Sequence, residues 1–274
     1  MLESKTQIRT HVTGTHTVIL ISGWQDHEAR VSIGNYLVGL RLSAMDYLLQ
    51  IHADMLNDTV DGRLHMKRSV WEIVGETSAA LDDVRKRDER NPWIAEGIWH
   101  LCMRLAPRII DLHPTGSVVA IKPVHYSPKD HGLDGLVLYR TPSGRLGSTF
   151  IETKAYRKDP NKAIRDAVVY FQGIENGSYG SRVRHEIAQL RNGLPDELQA
   201  QVRTMFWEKE RTYVANPHYD SSVPKRWDRR RARFSVDLPT VPVSAILVMP
   251  HIVQDFGVFF DEISDAMRTL VEEL

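Results

Sequence analysis

Apolar residues recur at spacings of three and four through SIGNYLVGLRLSAMDYLLQIHADML (32–56), and that period predicts a helix. The segment before it, HTVILIS (16–22), is strand-like, whereas RSVWEIV (68–74) fits a strand or a helix equally well. The charge-dense run DDVRKRDER (82–90) marks a boundary. Residues 1–88 are therefore expected as an N-terminal accessory lobe suited to docking a partner, and residues 89–274 as a second domain.

From residue 91 the pattern becomes regular. Asn91 suits an N-cap and Pro92 the first helical position, after which Ile94, Ile98, Leu101 and Leu105 line one helical face. Three strand-like segments follow: SVVAIKPV (117–124), GLVLYR (135–140) and STFIETKAY (148–156). TPSG (141–144) is a turn signal between the second and third. PNKAIRDAVVYFQGIENG (160–177) reads as a helix with Gly177 near its end. Polar helical segments are expected over 181–216, a fully apolar strand at VSAILVMP (243–250), and an amphipathic helix at FFDEISDAMRTLVEEL (259–274). The expected fold class is α/β, an α+β mixed sheet flanked by helices. Short connections make the first three strands a meander of hairpins, and the last strand, reached by a helical crossover, lies parallel to a neighbour.

Composition narrows the class. With 42% hydrophobic and 26% charged residues over 274 positions, the chain reads as globular rather than disordered. HTVILISGW (16–24) is too short for a membrane span, and the residues before it lack the layout of a secretory signal. The single cysteine, Cys102, excludes an internal disulfide and a thiolate zinc cage, and it falls on the apolar side of its helix. A reducing cytoplasmic setting without a membrane is the expectation. Net charge is formally zero, yet KRWDRRRARF (225–234) gathers six basic side chains. Arg226, Arg229, Arg230 and Arg231 suit phosphate contacts and Trp227 suits base stacking; a solvated loop face is the alternative.

The chemistry concentrates in the second and third strand segments. Strand alternation puts Phe150, Glu152 and Lys154 on one face. Asp134, between Gly132 and Gly135, starts the preceding strand and comes near Glu152 if the two strands pair. Converging carboxylates repel unless a cation sits between them, and a hard divalent ion such as magnesium is the natural occupant. Lys154 beside it can hold an attacking water or neutralise charge developing on a phosphate, which leads to metal-assisted phosphodiester hydrolysis. An acid-x-lysine pair alone means little: chance supplies about one in such a chain, and Glu3-Ser-Lys5 is another. The bland alternative is a turn-capping Asp134 and an exposed Glu152–Lys154 ion pair.

Asp134 followed by Glu152-Thr153-Lys154, within this element order, resembles the PD-(D/E)XK nuclease superfamily over about residues 91–250. The resemblance implies a restriction-endonuclease-like core of helix, three strands, helix and strand. It implies a Mg²⁺-dependent deoxyribonuclease, with Mn²⁺ able to substitute. Asp134, Glu152 and the carbonyl of Thr153 would bind the metal and Lys154 would be the catalytic lysine. A glutamate on the first core helix often joins them, and Glu96 is the candidate. Glu96 lies nearly opposite the apolar stripe of its helix, so a solvated helix-N-terminal acid is the alternative. Leu133 stands where the family pattern nominally has proline. Gln172, on the following helix, corresponds to a position some relatives use to contact nucleic acid or metal-bound water; an ordinary surface glutamine is the alternative. HGLDGLVLY (131–139) with ETKAY (152–156) is also similar to the nuclease subunit of Hachiman-type anti-phage defence, which implies DNA as substrate and a helicase partner. A catalytically inactive subunit that binds nucleic acid or a partner on the same fold is the rival reading. His125 and His131 lie close to Asp134 in sequence, where a hydrogen-bonded turn histidine competes with a metal or proton-transfer role.

Overall fold

One mixed sheet organises the chain. Its strands are β1 (Gln7–Val12), β2 (Thr17–Ser22), β3 (Ser117–Ile121), β4 (Gly135–Arg140), β5 (Leu146–Ala155), β6 (Arg211–Asp220), β7 (Ile246–Val248) and β8 (His251–Val253). They run in the order β1-β2-β7-β6-β5-β4-β3, with β8 pairing β6 off this path. The computed structural model describes residues 2–56, 62–130, 132–203, 206–225, 227 and 232–273. The longer helices are α1 (His27–Leu56), α2 (Gly62–Val74), α3 (Asn91–Leu105), α4 (Pro160–Glu175), α5 (Gly180–Arg191) and α6 (Phe256–Glu272).

The fold is mixed α/β, as the pattern predicts. The meander is present: β3 pairs β4 and β4 pairs β5, both antiparallel. The sheet's centre is parallel, with β5 beside β6 and β6 beside β7. Helices cover both faces. Ile151, Val137 and Val214 pack toward α1, α3 and α6, with Ile33, Trp99 and Phe260 among their neighbours. Phe150, Leu136 and Tyr213 pack toward α4 and α5, against Val168, Phe171 and Val183. Along β5 successive side chains therefore serve opposite cores.

Two expectations need correction, and one ambiguity is resolved. Residues 181–216 are not helical throughout: α5 ends at Arg191, and Arg211–Asp220 is a ten-residue central strand. That strand buries Thr212, Asn216, His218 and Asp220 and carries Pro217, so its sequence lacks an apolar run. The apolar VSAILVMP contributes only Ile246–Val248 as strand, because Val243–Ala245 forms a 3-10 turn. RSVWEIV, ambiguous in sequence, lies within helix α2.

Residues 1–88, expected as a lobe, contribute β1 and β2 to the common sheet through a parallel β2–β7 pairing. Ile33 and Leu37 of α1 and Val70 and Ile73 of α2 share one core with Trp93 and Ile98 of α3. At Gly97 of α3 a Cβ would stand 2.0 Å from a Leu37 methyl, which measures how closely α1 and α3 approach.

Candidate active site

The site forms where β4 begins and β5 runs on past it. Gly135 pairs with Ile151, so the residue before Gly135 falls opposite Glu152, on the same face of the sheet. A Cβ at Gly135 would meet Trp99 at 2.7 Å and Ile151 at 2.9 Å, so the missing side chain lets α3 pack at this corner. Asp134 folds onto β5: its Oδ2 accepts the backbone N–H of Thr153 at 3.0 Å and lies 3.3 Å from Lys154 Nζ. Lys154 Nζ is also 2.6 Å from Glu152 Oε1. The ammonium therefore bridges the two carboxylates that the strand alternation and pairing anticipate.

Thr153 points its side chain to the other face, where its hydroxyl donates to Asn216 Oδ1 at 3.3 Å. Its N–H is turned toward Asp134, beyond the end of β4. In an extended residue N–H and C=O face the same neighbouring strand, so the Thr153 carbonyl faces that corner as well. Phe150 is fully buried on the face of Glu152 and stacks on Tyr213, forming the apolar floor.

Glu96 on α3 belongs to the site, and the helical-wheel alternative does not describe it. Its carboxylate is only 14% exposed and its Oε2 lies 3.0 Å from His125 Nδ1. The wheel misleads because α3 is buried on nearly all sides, with Trp93, Ala95, Gly97 and Trp99 covered as well as the apolar stripe. Ligand-capable atoms of Glu96, His125 and Asp134 all lie within 4.8 Å of one another, a grouping that could hold a metal ion. Glu152 stands beside this trio, tied to it through Lys154 and Asp134.

His125 rides on the loop between β3 and β4, and neighbouring elements fix that loop. Trp93 Nε1 of α3 donates to the His125 carbonyl at 2.8 Å. Arg41 of α1, itself buried, donates to the Tyr126 carbonyl and to the Ser69 carbonyl and pairs with Glu72. Nothing in the sequence pattern singles out His125 beyond its proximity to Asp134; the structure brings it to Glu96 across 29 positions.

Electrostatics follow from the crowding. Burial and the nearby Asp134 charge push Glu152 up to about 8, against the pull of Lys154. Glu96 is also raised, first by burial and then by Asp134, while His125 and Lys122 pull it down. Burial alone would lower Lys154, but the Asp134 and Glu152 carboxylates outweigh it and hold the ammonium well above the ordinary lysine value. Lys122, at the end of β3, is buried and lies 4.0 Å from Glu186 of α5. From α4, the Tyr170 hydroxyl is buried without a hydrogen-bond partner among the described residues. Burial raises it first, and the charges of Glu152 and Asp134 raise it further. Sequence reading missed Lys122 and Tyr170; both sit in ordinary strand and helix patterns that do not mark them.

The proposed nucleic-acid contacts fare differently. Trp227 is buried, and its indole N–H donates to the Tyr219 hydroxyl at 2.7 Å, so its ring is core rather than a stacking platform. Arg226, Arg229, Arg230 and Arg231 lie outside the described residues, as does His131. Gln172 donates to the Asp237 carbonyl at 3.2 Å. Cys102 is fully buried, as its helix position predicts. No helix among the described residues is long and apolar enough to cross a membrane. Comparison with protein-family models, curated proteins and solved structures returns no match.

Proposed function

We propose that the chain is a metal-dependent nuclease of the PD-(D/E)XK type that hydrolyses phosphodiester bonds in DNA. The observation that carries this reading is the convergence of Asp134, Glu152 and Lys154 at one strand end, with Glu96 reaching in from α3. The order α3, β3, β4, β5, α4, β6, with an antiparallel meander and a parallel β5–β6 pair, supports a restriction-endonuclease-like core.

The donor set suits a divalent cation. Glu96, Asp134 and Glu152 bring three carboxylates together, with the ammonium of Lys154 in contact with two of them and Lys122 acting on Glu96 from farther off, and two of those acids are raised toward holding protons. Such an excess of shielded negative charge is costly unless protons or a cation relieve it. Asp134 and Glu96, with the Thr153 carbonyl and Glu152, would hold the ion. When bound, Mg²⁺ or Mn²⁺ supplies a polarised water nucleophile and neutralises charge on the phosphate. Lys154, fixed between two carboxylates, orients a donor toward the reacting phosphate and stays charged through the reaction. The packed floor of Phe150 and Tyr213 keeps these groups from relaxing away from one another.

The similarity to the Hachiman-type nuclease subunit supports a helicase partner and a role in antiviral defence as the wider setting. DNA incubated with the purified chain and Mg²⁺, alone and with such a partner, tests the activity. Wild type is expected to cut, and Glu152→Ala and Lys154→Ala are expected not to. Equal cutting by both variants would overturn the site assignment.

A further inference from the structure

We infer that His125 is itself a metal ligand, making Glu96, His125 and Asp134 a mixed nitrogen–oxygen site that selects Mn²⁺ over Mg²⁺. This deepens the proposed nuclease and rests on its metal requirement, but its own evidence is the surroundings of the imidazole.

The spacing is right for shared coordination. Glu96 Oε2 and His125 Nδ1 lie 3.0 Å apart, and the ligand atoms of all three residues fall within 4.8 Å of one another. Neighbouring ligands at right angles on one ion, with bonds of about 2.1 Å, stand about 3 Å apart. The imidazole is 10% exposed, and its Nε2 is buried with no hydrogen-bond partner among the described residues. A neutral imidazole carries one donor and one acceptor nitrogen, so whichever tautomer forms, hydrogen bonding satisfies one side alone. Coordination would be through Nδ1, where an ion takes the place of the Glu96 hydrogen bond, while Nε2 is turned toward Gly132.

The ring is placed by other means. Trp93 holds the His125 carbonyl, Arg41 holds the next one, and Gly132 leaves room for the ring. A Cβ on Gly132 would sit 2.4 Å from Nε2. The charges agree with a cation at this spot. Lys154 is engaged with Glu152 and Asp134, and Lys122, 4.0 Å from Glu186, acts on Glu96 only at longer range, so among the described residues no ammonium is in ion-pair contact with Glu96. Magnesium prefers oxygen ligands and retained waters, whereas imidazole favours first-row transition ions.

Calorimetric titration of the full chain with MnCl₂ and with MgCl₂ reads binding without DNA. The expected preference for manganese is on the order of tenfold, and His125→Gln removes most of it while Mg²⁺ affinity stays within about threefold. Pulsed electron paramagnetic resonance of the Mn²⁺-loaded wild type, which needs no variant to fold, should show a ¹⁴N coupling from a directly bound imidazole. Bound Mn²⁺ without that coupling overturns the inference, as does the absence of Mn²⁺ binding or an unchanged Mn²⁺ preference in a folded His125→Gln protein. DNA cleavage with Mg²⁺ but no nitrogen coupling sinks this inference and leaves the nuclease standing; nitrogen coupling without cleavage under any metal does the reverse.

Discussion

Asp134 accepts the backbone N–H of Thr153 at 3.0 Å, a bond that continues the β4–β5 pairing after β4's own backbone has turned away. A side chain here replaces a strand partner. It fixes the carboxylate against β5 and leaves the end of that strand open to α3 and the β3–β4 loop. The same oxygen lies 3.3 Å from Lys154 Nζ, so Asp134 links the Glu152–Lys154 pair to the Glu96–His125 pair.

Arg41 is the buried brace between the N-terminal helices and this loop. Arg41→Met leaves the Tyr126 and Ser69 carbonyls without their donor and should destabilise the protein by about 1–3 kcal/mol. Urea denaturation measures the loss. Hydrogen exchange should show faster opening around residues 123–127, and cleavage should fall with it.

Gly132 has no room for a side chain beside the His125 ring. Gly132→Ala should push the imidazole off Glu96 and weaken Mn²⁺ binding on the order of tenfold. Calorimetry checks the affinity, and an unchanged thermal midpoint confirms that the effect is local.

Tyr170 carries a buried hydroxyl with no partner among the described residues. Tyr170→Phe removes an unsatisfied group, so stability should hold or rise by roughly 1 kcal/mol. A loss of the same size in chemical denaturation would reveal a partner for the hydroxyl and contradict the expectation.

His218 and His251 stack at 4.5 Å in the core, and burial holds both below the ordinary histidine value, His251 at about 4. In the unfolded chain a histidine titrates near 6.5, so between that value and about 4 the unfolded chain binds a proton that the folded one refuses. The contribution to stability is complete above pH ~6.5 and is lost as pH falls. From pH 7 to 5 the loss through His251 alone should be about 2 kcal/mol. His251→Phe should therefore lose less stability than wild type over that interval, as measured by urea titration at both pH values.

The Glu152–Lys154 pair was legible because strand alternation is local: the two residues share a face whatever surrounds them. Asp134 was legible through the flanking glycines and the hairpin turn at Gly144, which fixes the β4–β5 register. The strand β6 was not, because its buried positions include Asn216 and His218, polar residues hydrogen-bonded to one another, with Asn216 also donating to the Met249 carbonyl, so the segment does not read as apolar. Glu96 was ambiguous because a helix buried on nearly all sides offers little polar face to compare it with. His125 could be placed only by tertiary contacts, since Trp93 and Arg41 hold its loop from two different helices. Trp227 misled because a tryptophan among arginines resembles a stacking platform until Tyr219 is found beneath it.

Asp134→Asn is the most direct probe of the central claim. Asparagine keeps an acceptor for the Thr153 N–H but removes the charge that pairs with Lys154 and that the proposed metal site would use. Cleavage of a labelled DNA duplex and single strand in Mg²⁺ and in Mn²⁺, read beside thermal unfolding of the same preparations, compares it with wild type. The expected result is an equally folded protein whose cleavage rate falls on the order of a hundredfold or more. An equally folded variant that cuts DNA at the wild-type rate would contradict the assignment of this corner of the sheet as the active site.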